Sequence, residues 1–180
     1  NTACLFIRNS VITQEKLKAE YTVKSTIDRV EMKLETYIEK VEFLKKTIES
    51  GIELNDAYFQ SIASRLYGDD PAIKTIELAP NGVIQNVYPL KENKEVIGMN
   101  MLIERDRKQA ATLAKDTKKY TLEGPYDLKQ GGKGALLYDP IYVNDEFWGF
   151  SILVIDWDVF LDEIHLSDLE KASYDFVIWK

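Results

Sequence analysis

The feature of this sequence that constrains its fold most is a regular stripe of apolar residues in the first third of the chain. The stripe repeats at alternating spacings of four and three residues, which is a heptad pattern. Its members are Val23, Ile27, Val30, Leu34, Tyr37, Val41, Leu44 and Ile48. A period of 3.5 residues keeps a narrow apolar stripe on one side of a long helix. Ser50-Gly51 is expected to end that helix, since glycine accepts the left-handed conformation of a cap.

The stripe has two candidate partners. One is the same helix of a second copy in parallel register, and the other is the sheet of its own domain. A core-facing helix usually shows a wider apolar stripe, so the narrow pattern favours pairing between copies. Residues 1–51 are therefore predicted to form a stalk that makes the protein a homodimer.

The residues after the stalk change from a helical to an extended pattern. Asn55 or Asp56 is expected to cap a second helix that runs to Leu66. Two apolar runs, "AIKTIELA" and "VIQNVYPL", then flank Asn81-Gly82, which is a strong hairpin signal. The alanine-rich segment 104–118 has the composition of a helix.

The last part of the domain is predicted to be a strand meander. "YTLEGPYDL", "ALLYDPIYV" and "FWGFSILVI" are separated by short loops of hairpin length. Two strands, a helical insert and three further strands indicate an α+β domain with a five-stranded antiparallel sheet and helices on one side. That order is typical of a PAS-like sensor fold, which we place at residues 52–166.

The glycine-rich stretch 130–134, Gln-Gly-Gly-Lys-Gly, tests whether the chain is a nucleotide enzyme. A P-loop has Ser or Thr after its lysine and opens a helix behind a parallel strand. Here Ala135 stands two residues after Lys133 and a strand pattern follows. The stretch is therefore predicted to be a hairpin turn in which glycines take positive φ.

Composition and side-chain chemistry argue against the other common functions. A net charge of −7 opposes nucleic-acid binding. The single cysteine, Cys4, allows neither an internal disulfide nor a cysteine-cluster metal site. His165 fits a solvated helix position better than a catalytic base, and Asp156 and Asp158 fit a helix start better than a metal site. No catalytic residue, metal or cofactor is predicted.

The ends of the sequence resemble those of an excised fragment. The chain opens on Asn1 and closes on an alternating pattern, Tyr174, Phe176 and Ile178, which is typical of a strand. Residues 167–180 are therefore predicted to begin a further strand or connector. The apolar residues 3–7 are either the edge of an upstream membrane span or a short packed terminus.

Several stretches together resemble the CHASE family of extracytoplasmic sensory domains. The stretches are "VYPLKENKEVIGMNML", Arg107 with Ala110 and Ala114 along a helix, "LEGPYDLKQGGKGALLYDPIYV" and "FWGFSILVID", within residues 54–165. The resemblance implies a PAS-like small-molecule pocket, a homodimer, flanking transmembrane helices, and a histidine kinase or a diguanylate or nucleotide cyclase as output. Two departures stand out: Asn100 replaces a usual acidic residue, and Thr117-Lys118 replaces Thr-Gly.

These observations predict a non-enzymatic, extracytoplasmic small-molecule sensor domain of a membrane receptor. Its pocket is expected between the sheet and the 96–118 segment. The predicted ligand-binding residues are Tyr88, Met99, Asn100, Arg107, Tyr126, Gln130 and Tyr138. The alternative is a periplasmic protein-interaction module that binds no small molecule.

Overall fold

The computed structural model describes residues 2–164, with side chains from residue 13 onward. The predictions for His165 and for the terminal strand at Tyr174, Phe176 and Ile178 lie outside the described residues, as do the side chains of Cys4 and of residues 3–7.

The element order is that of the predicted α+β fold, and the fold class is confirmed. The helices are α1 (Thr2–Glu49), α2 (Asp56–Tyr67), α3 (Lys108–Thr117) and α4 (Trp157–Glu163), with a single 3₁₀ turn at Lys94–Val96. The strands are β1 (Ile73–Pro80), β2 (Asn86–Tyr88), β3 (Thr121–Asp127), β4 (Lys133–Val143) and β5 (Glu146–Asp156). They form one five-stranded sheet in the order β2-β1-β5-β4-β3. Every neighbouring pair is antiparallel.

The described residues fall into two compact units, and the division lies inside α1. One unit contains residues 2–34 and 161–164, and the other contains residues 35–160. In the first unit, Arg29 Nε and Nη2 donate to the Ile164 carbonyl oxygen at 3.1 and 3.0 Å. Lys33 forms an ion pair with Glu163 in the same unit. The second unit, which holds the sheet, begins before the predicted domain start at residue 52.

Helices cover both faces of the sheet rather than the one face that we expected from the sequence. On one face, Tyr138 of β4 belongs to the core cluster that contains Ala110 and Ala114 of α3. The next residue, Asp139, points to the opposite face and meets Lys45 of α1, with 3.4 Å between Nζ and Oδ1. The physical reason is visible in β4 and β5, which are largely apolar without polar alternation and are buried along most of their length on both faces.

The burial of the heptad stripe changes along α1. Four of its members, Tyr37, Val41, Leu44 and Ile48, are buried within the 35–160 unit, with at most 7% of their surface exposed. Packing on the protein's own domain therefore accounts for this half of the stripe. Ile27, by contrast, is 49% exposed. The homodimer prediction now depends on the remaining members, which are Val23, Ile27, Val30 and Leu34.

The turns form where the sequence predicts them. Asn81 and Gly82 take positive φ between β1 and β2. Gly131 and Gly132 do the same between the antiparallel strands β3 and β4. The turn closes with hydrogen bonds between Leu128 and its neighbours, including Leu128 N to Gly132 O at 3.0 Å. The glycine-rich stretch is therefore a hairpin, as predicted.

Candidate functional site

A small cavity lies on the face of the sheet that carries α3. Its volume is about 20 Å³, which is room for about one water molecule. The sheet provides one wall, the 96–107 segment provides a second, and the turn between β3 and β4 provides a third. The lining residues are Glu77, Ile84, Val96, Met99, Met101, Arg107, Leu128, Lys129, Gln130, Leu136 and Val154.

Arg107 brings a buried positive charge to this cavity. It stands immediately before α3 and only 8% of its surface is exposed. Its Nη2 donates to the carbonyl oxygen of Asp127 at 3.1 Å. Its guanidinium carbon lies 4.0 Å from the centre of the Tyr126 ring, a cation–π distance. These two contacts fix the guanidinium against β3 and leave other N–H groups of its five available to a ligand.

Glu77 brings a buried carboxyl group to the same cavity. It lies in the middle of β1 and is 1% exposed. Its Oε1 accepts a hydrogen bond from Thr75 Oγ1 at 2.8 Å. Its Oε2 is buried and has no hydrogen-bond partner among the described residues. Burial raises the pKa of Glu77 to about 7, although the Thr75 hydrogen bond and the charge of Arg107 act in the opposite direction.

Two tyrosines, Tyr138 and Tyr126, pack against residues that line the cavity. Tyr138 is fully buried, its ring packs edge-on against Phe150 at 5.7 Å, and its hydroxyl lies 3.8 Å from Met101 Sδ. Burial raises its pKa above the ordinary range. Tyr126 supplies the ring beneath Arg107, and burial together with the neighbouring Glu123 raises its pKa as well. Both hydroxyls therefore stay protonated at neutral pH.

The structure brings five of the seven predicted ligand-binding residues together. Met99, Arg107 and Gln130 line the cavity. Tyr126 contacts Arg107. Tyr138 is a core residue whose hydroxyl contacts Met101, and Met101 lines the cavity.

The other two predicted residues have structural contacts and do not line the cavity. Tyr88 packs edge-on against Tyr67 of α2, with 5.3 Å between ring centres. The side-chain oxygen of Asn100 accepts a hydrogen bond from the Leu102 amide at 3.0 Å, and its backbone bridges to Val83. Asn100 therefore shapes the loop beside the cavity.

Glu77 is the functional candidate that the sequence analysis missed. It sits inside "IKTIELA", a predicted strand that carries one acidic residue. The sequence signal is that Glu77 stands between two apolar residues, Ile76 and Leu78. The structure buries all three. A carboxylate in a strand that is buried on both faces requires a partner or a function.

Asp156 has the structural function that the sequence predicted. Its Oδ1 accepts a hydrogen bond from the Val159 amide at 3.2 Å, which caps the start of α4. Within residues 2–164, no group of three or more His, Cys, Asp or Glu side chains is arranged to hold a metal ion. No helix in that range is long and apolar enough to cross a membrane.

The fold is that of a PAS-like domain, and the solved structures that it resembles include ligand-binding and sensory domains. The chain resembles an extracellular ligand-binding receptor from Desulfohalobium retbaense (TM-score 0.61, 14% identity, 80% of this chain and 26% of that one). It also resembles the ligand-binding domain of a Pseudomonas aeruginosa amino-acid chemoreceptor in complex with GABA (TM-score 0.58, 13% identity, 84% and 62%). A third is the sensory domain of a Campylobacter jejuni chemoreceptor with isoleucine bound (TM-score 0.61, 14% identity, 84% and 63%).

These structural similarities support the fold, and a match to a family model identifies the protein family. The chain spans less than two thirds of the length of each of these three structures. No curated protein sequence matches it. The CHASE domain profile matches residues 53–179, which is well over half of the chain. The protein therefore belongs to the CHASE domain family, as its sequence resemblance predicted. CHASE domains and their structural neighbours are extracellular sensor domains of membrane receptors.

Proposed function

We propose that this chain is the non-catalytic small-molecule input domain of a membrane-bound signalling receptor, and that its ligand binds at the cavity between Glu77 and Arg107. The observation that carries the proposal is the pair of buried, oppositely charged side chains that face one cavity without forming an ion pair with each other. Burying charged groups is costly, and a ligand that pairs with them recovers that cost.

The ligands of the structural neighbours support a small-molecule site. One neighbour is a chemoreceptor domain in complex with GABA, and another has isoleucine bound. Both ligands are compact and polar. A compact ligand suits the present site, because the cavity is small and two of its walls carry a buried charged residue, Glu77 and Arg107.

Ligand entry requires the cavity to widen, since a volume of about 20 Å³ holds about one water molecule. The walls best placed to move are the turn between β3 and β4, which includes Gln130, and the loop that contains Met99. Neither wall is a strand of the sheet. We expect these two loops to close around the ligand.

The signal is proposed to leave through the opposite face of the sheet. Residues 35–49 of α1 pack there, and Lys45 meets the buried Asp139 of β4. A ligand transmits only if it binds one arrangement of the domain better than another. The dimeric α1 stalk would pass that difference through flanking transmembrane helices to a cytoplasmic histidine kinase or to a diguanylate or nucleotide cyclase.

The test of this function is a thermal-shift screen of amino acids, organic acids and purines. A ligand at about a hundred times its dissociation constant adds about 2.7 kcal/mol, which raises the melting temperature of a domain of this size by roughly 5–10 °C. Arg107→Ala should abolish the shift produced by any hit. Arg105→Ala is the matched control, because Arg105 is an exposed arginine two residues away.

The small volume of the cavity favours a second function, the protein-interaction module without a small-molecule ligand. The same screen separates the two functions. If no compound stabilises the wild-type chain, the small-molecule proposal is wrong and the interaction module becomes the better explanation. If a compound stabilises wild type and Arg105→Ala but not Arg107→Ala, the interaction module is unnecessary.

A further inference from the structure

We propose that Glu77 is a ligand-binding residue and that the ligand is a compact zwitterion, with its ammonium group on Glu77 and its acidic group on Arg107. The inference rests on the proposed function and assigns the chemical class of the ligand.

The first step of the argument is the unused hydrogen-bonding capacity of Glu77. An ionised carboxylate accepts hydrogen bonds at both oxygens and has no donor. Thr75 satisfies Oε1, whereas Oε2 is buried without a hydrogen-bond partner among the described residues. Glu77 is one of the residues that line the cavity. An unsatisfied buried carboxylate oxygen is expensive to maintain. The group that best complements it is a cationic donor such as an ammonium group.

The second step is the position of Arg107. Its guanidinium lines the same cavity and is held in place by the Tyr126 ring and the Asp127 carbonyl oxygen. Arginine recognises carboxylate groups through paired N–H donors. Arg107 and Glu77 interact through their charges but form no direct hydrogen bond with each other, because Glu77 Oε2 has no hydrogen-bond partner among the described residues and Oε1 accepts from Thr75. A ligand with a donor and an acceptor can therefore contact both side chains.

The third step is the balance of charge and size. A simple anion would pair with Arg107 and leave Glu77 facing a like charge, and a simple cation would do the reverse. A molecule with both charges complements both buried groups. Lys129 also lines the cavity, but its side chain is exposed, so water solvates its charge. The remaining lining is largely apolar, with Met99, Leu128 and Leu136 among its members. This lining suits a short aliphatic body between or beside the two charged groups.

The experiment uses the complete chain and matched sets of probes. Thermal shift and calorimetry would compare alanine, valine, isoleucine and γ-aminobutyrate with their deaminated acids and decarboxylated amines. We expect at least one zwitterion to bind at least tenfold more tightly than both of its singly charged analogues. Glu77→Gln should weaken that zwitterion at least tenfold, whereas the deaminated acid should bind no more weakly than to wild type, because the substitution removes the like charge that faces it.

The control variant is Glu92→Gln, because Glu92 is exposed on the same domain. It should leave all affinities unchanged. If an organic acid or purine binds in an Arg107-dependent way and no zwitterion does, the sensor function stands and the zwitterion assignment is wrong. If Glu77→Gln weakens the zwitterion and the deaminated acid equally, Glu77 has only a structural role and the assignment is also wrong. If no compound of any class binds, the proposed function fails and takes this assignment with it.

Discussion

Burial makes the Glu77 carboxyl group harder to ionise than an exposed glutamate, so that both of its forms are populated near pH 7. This has a consequence for stability as well as for binding. Its pKa rises from the ordinary 4.5 to about 7 because the side chain is buried. The folded state therefore holds the proton more tightly than the unfolded chain. The Glu77 carboxyl group does not lower the free energy of unfolding below about pH 4.5. Its destabilising effect grows from there until the pH reaches about 7 and is then constant. Arg107 and Lys129 are the basic side chains that line the same cavity, and Tyr138 lies in the adjoining core.

The prediction at this residue is that Glu77→Gln stabilises the protein at pH 8 and has little effect at pH 5. The shift in pKa corresponds to a gain on the order of 3 kcal/mol at the higher pH. Urea denaturation of both proteins at pH 5, 6, 7 and 8 measures this gain. The wild-type free energy of unfolding should fall across that range more steeply than that of the variant.

Some pH dependence should remain in Glu77→Gln. Burial also raises the pKa of Asp139 to about 6, with Lys45 acting in the opposite direction. Glu92→Gln serves again as the control and should follow the wild-type curve. Parallel curves for wild type and Glu77→Gln would show that the Glu77 carboxyl group is not perturbed in the folded state.

Among the elements, β5 is the central strand of the five-stranded sheet and pairs with β1 on one side and β4 on the other. Gly149 is paired with Pro80 of β1 and has a φ of 151°. A Cβ atom added at Gly149 would lie 2.2 Å from the Ala79 carbonyl oxygen. That oxygen belongs to the backbone, so the overlap can be relieved only if the strands separate.

We predict that Gly149→Ala destabilises the protein by more than about 3 kcal/mol, since backbone overlap and an unfavourable φ act together. Gly51→Ala is the control. Gly51 also has a positive φ, 86°, but an added Cβ would meet no atom within 4 Å. Its cost should stay near 1 kcal/mol. Chemical denaturation of the two variants measures the difference, and equal losses would mean that strand contact at Gly149 contributes nothing.

Local signals made the elements predictable, whereas contacts between distant residues did not. Asn81-Gly82 and the 131–132 glycines specify their turns through positive φ, which few other residues accept. The largely apolar runs of β4 and β5 predict the strands, and their lack of polar alternation is the sequence signal for burial on both faces. Glu77 and Arg107 are 30 positions apart in the sequence, and only the sheet topology brings them to one cavity.

For the whole molecule, the heptad stripe is one pattern whose members differ in burial. A single 3.5-residue period describes all eight positions, yet Tyr37 to Ile48 are buried within the sheet-containing unit and Ile27 is half exposed. The periodicity alone does not distinguish a core-facing turn from a partner-facing turn. The homodimer stays a prediction that involves Val23, Ile27, Val30 and Leu34.

The dimer prediction is tested at Ile27. A lysine there would place a charge within the proposed helix pair, where an unpaired charge is costly to desolvate. We expect sedimentation equilibrium to show that Ile27→Lys raises the dimer dissociation constant at least tenfold. Asp28→Lys introduces the same side chain at the next, exposed position off the stripe and should change the constant less than threefold.

Ligand affinity should separate the loss of dimerisation from a loss of folding in the 35–160 unit. Ile27 lies outside the 35–160 unit, so Ile27→Lys should bind any ligand found in the screen with wild-type affinity. If residue 27 serves only to pair the two stalks, Ile27→Lys should keep its ligand and lose its partner. A wild-type chain that stays monomeric at every concentration, or equal weakening by the two lysine variants, would refute pairing through this stripe. The ligand site would then have to signal through α1 without a partner helix at these positions.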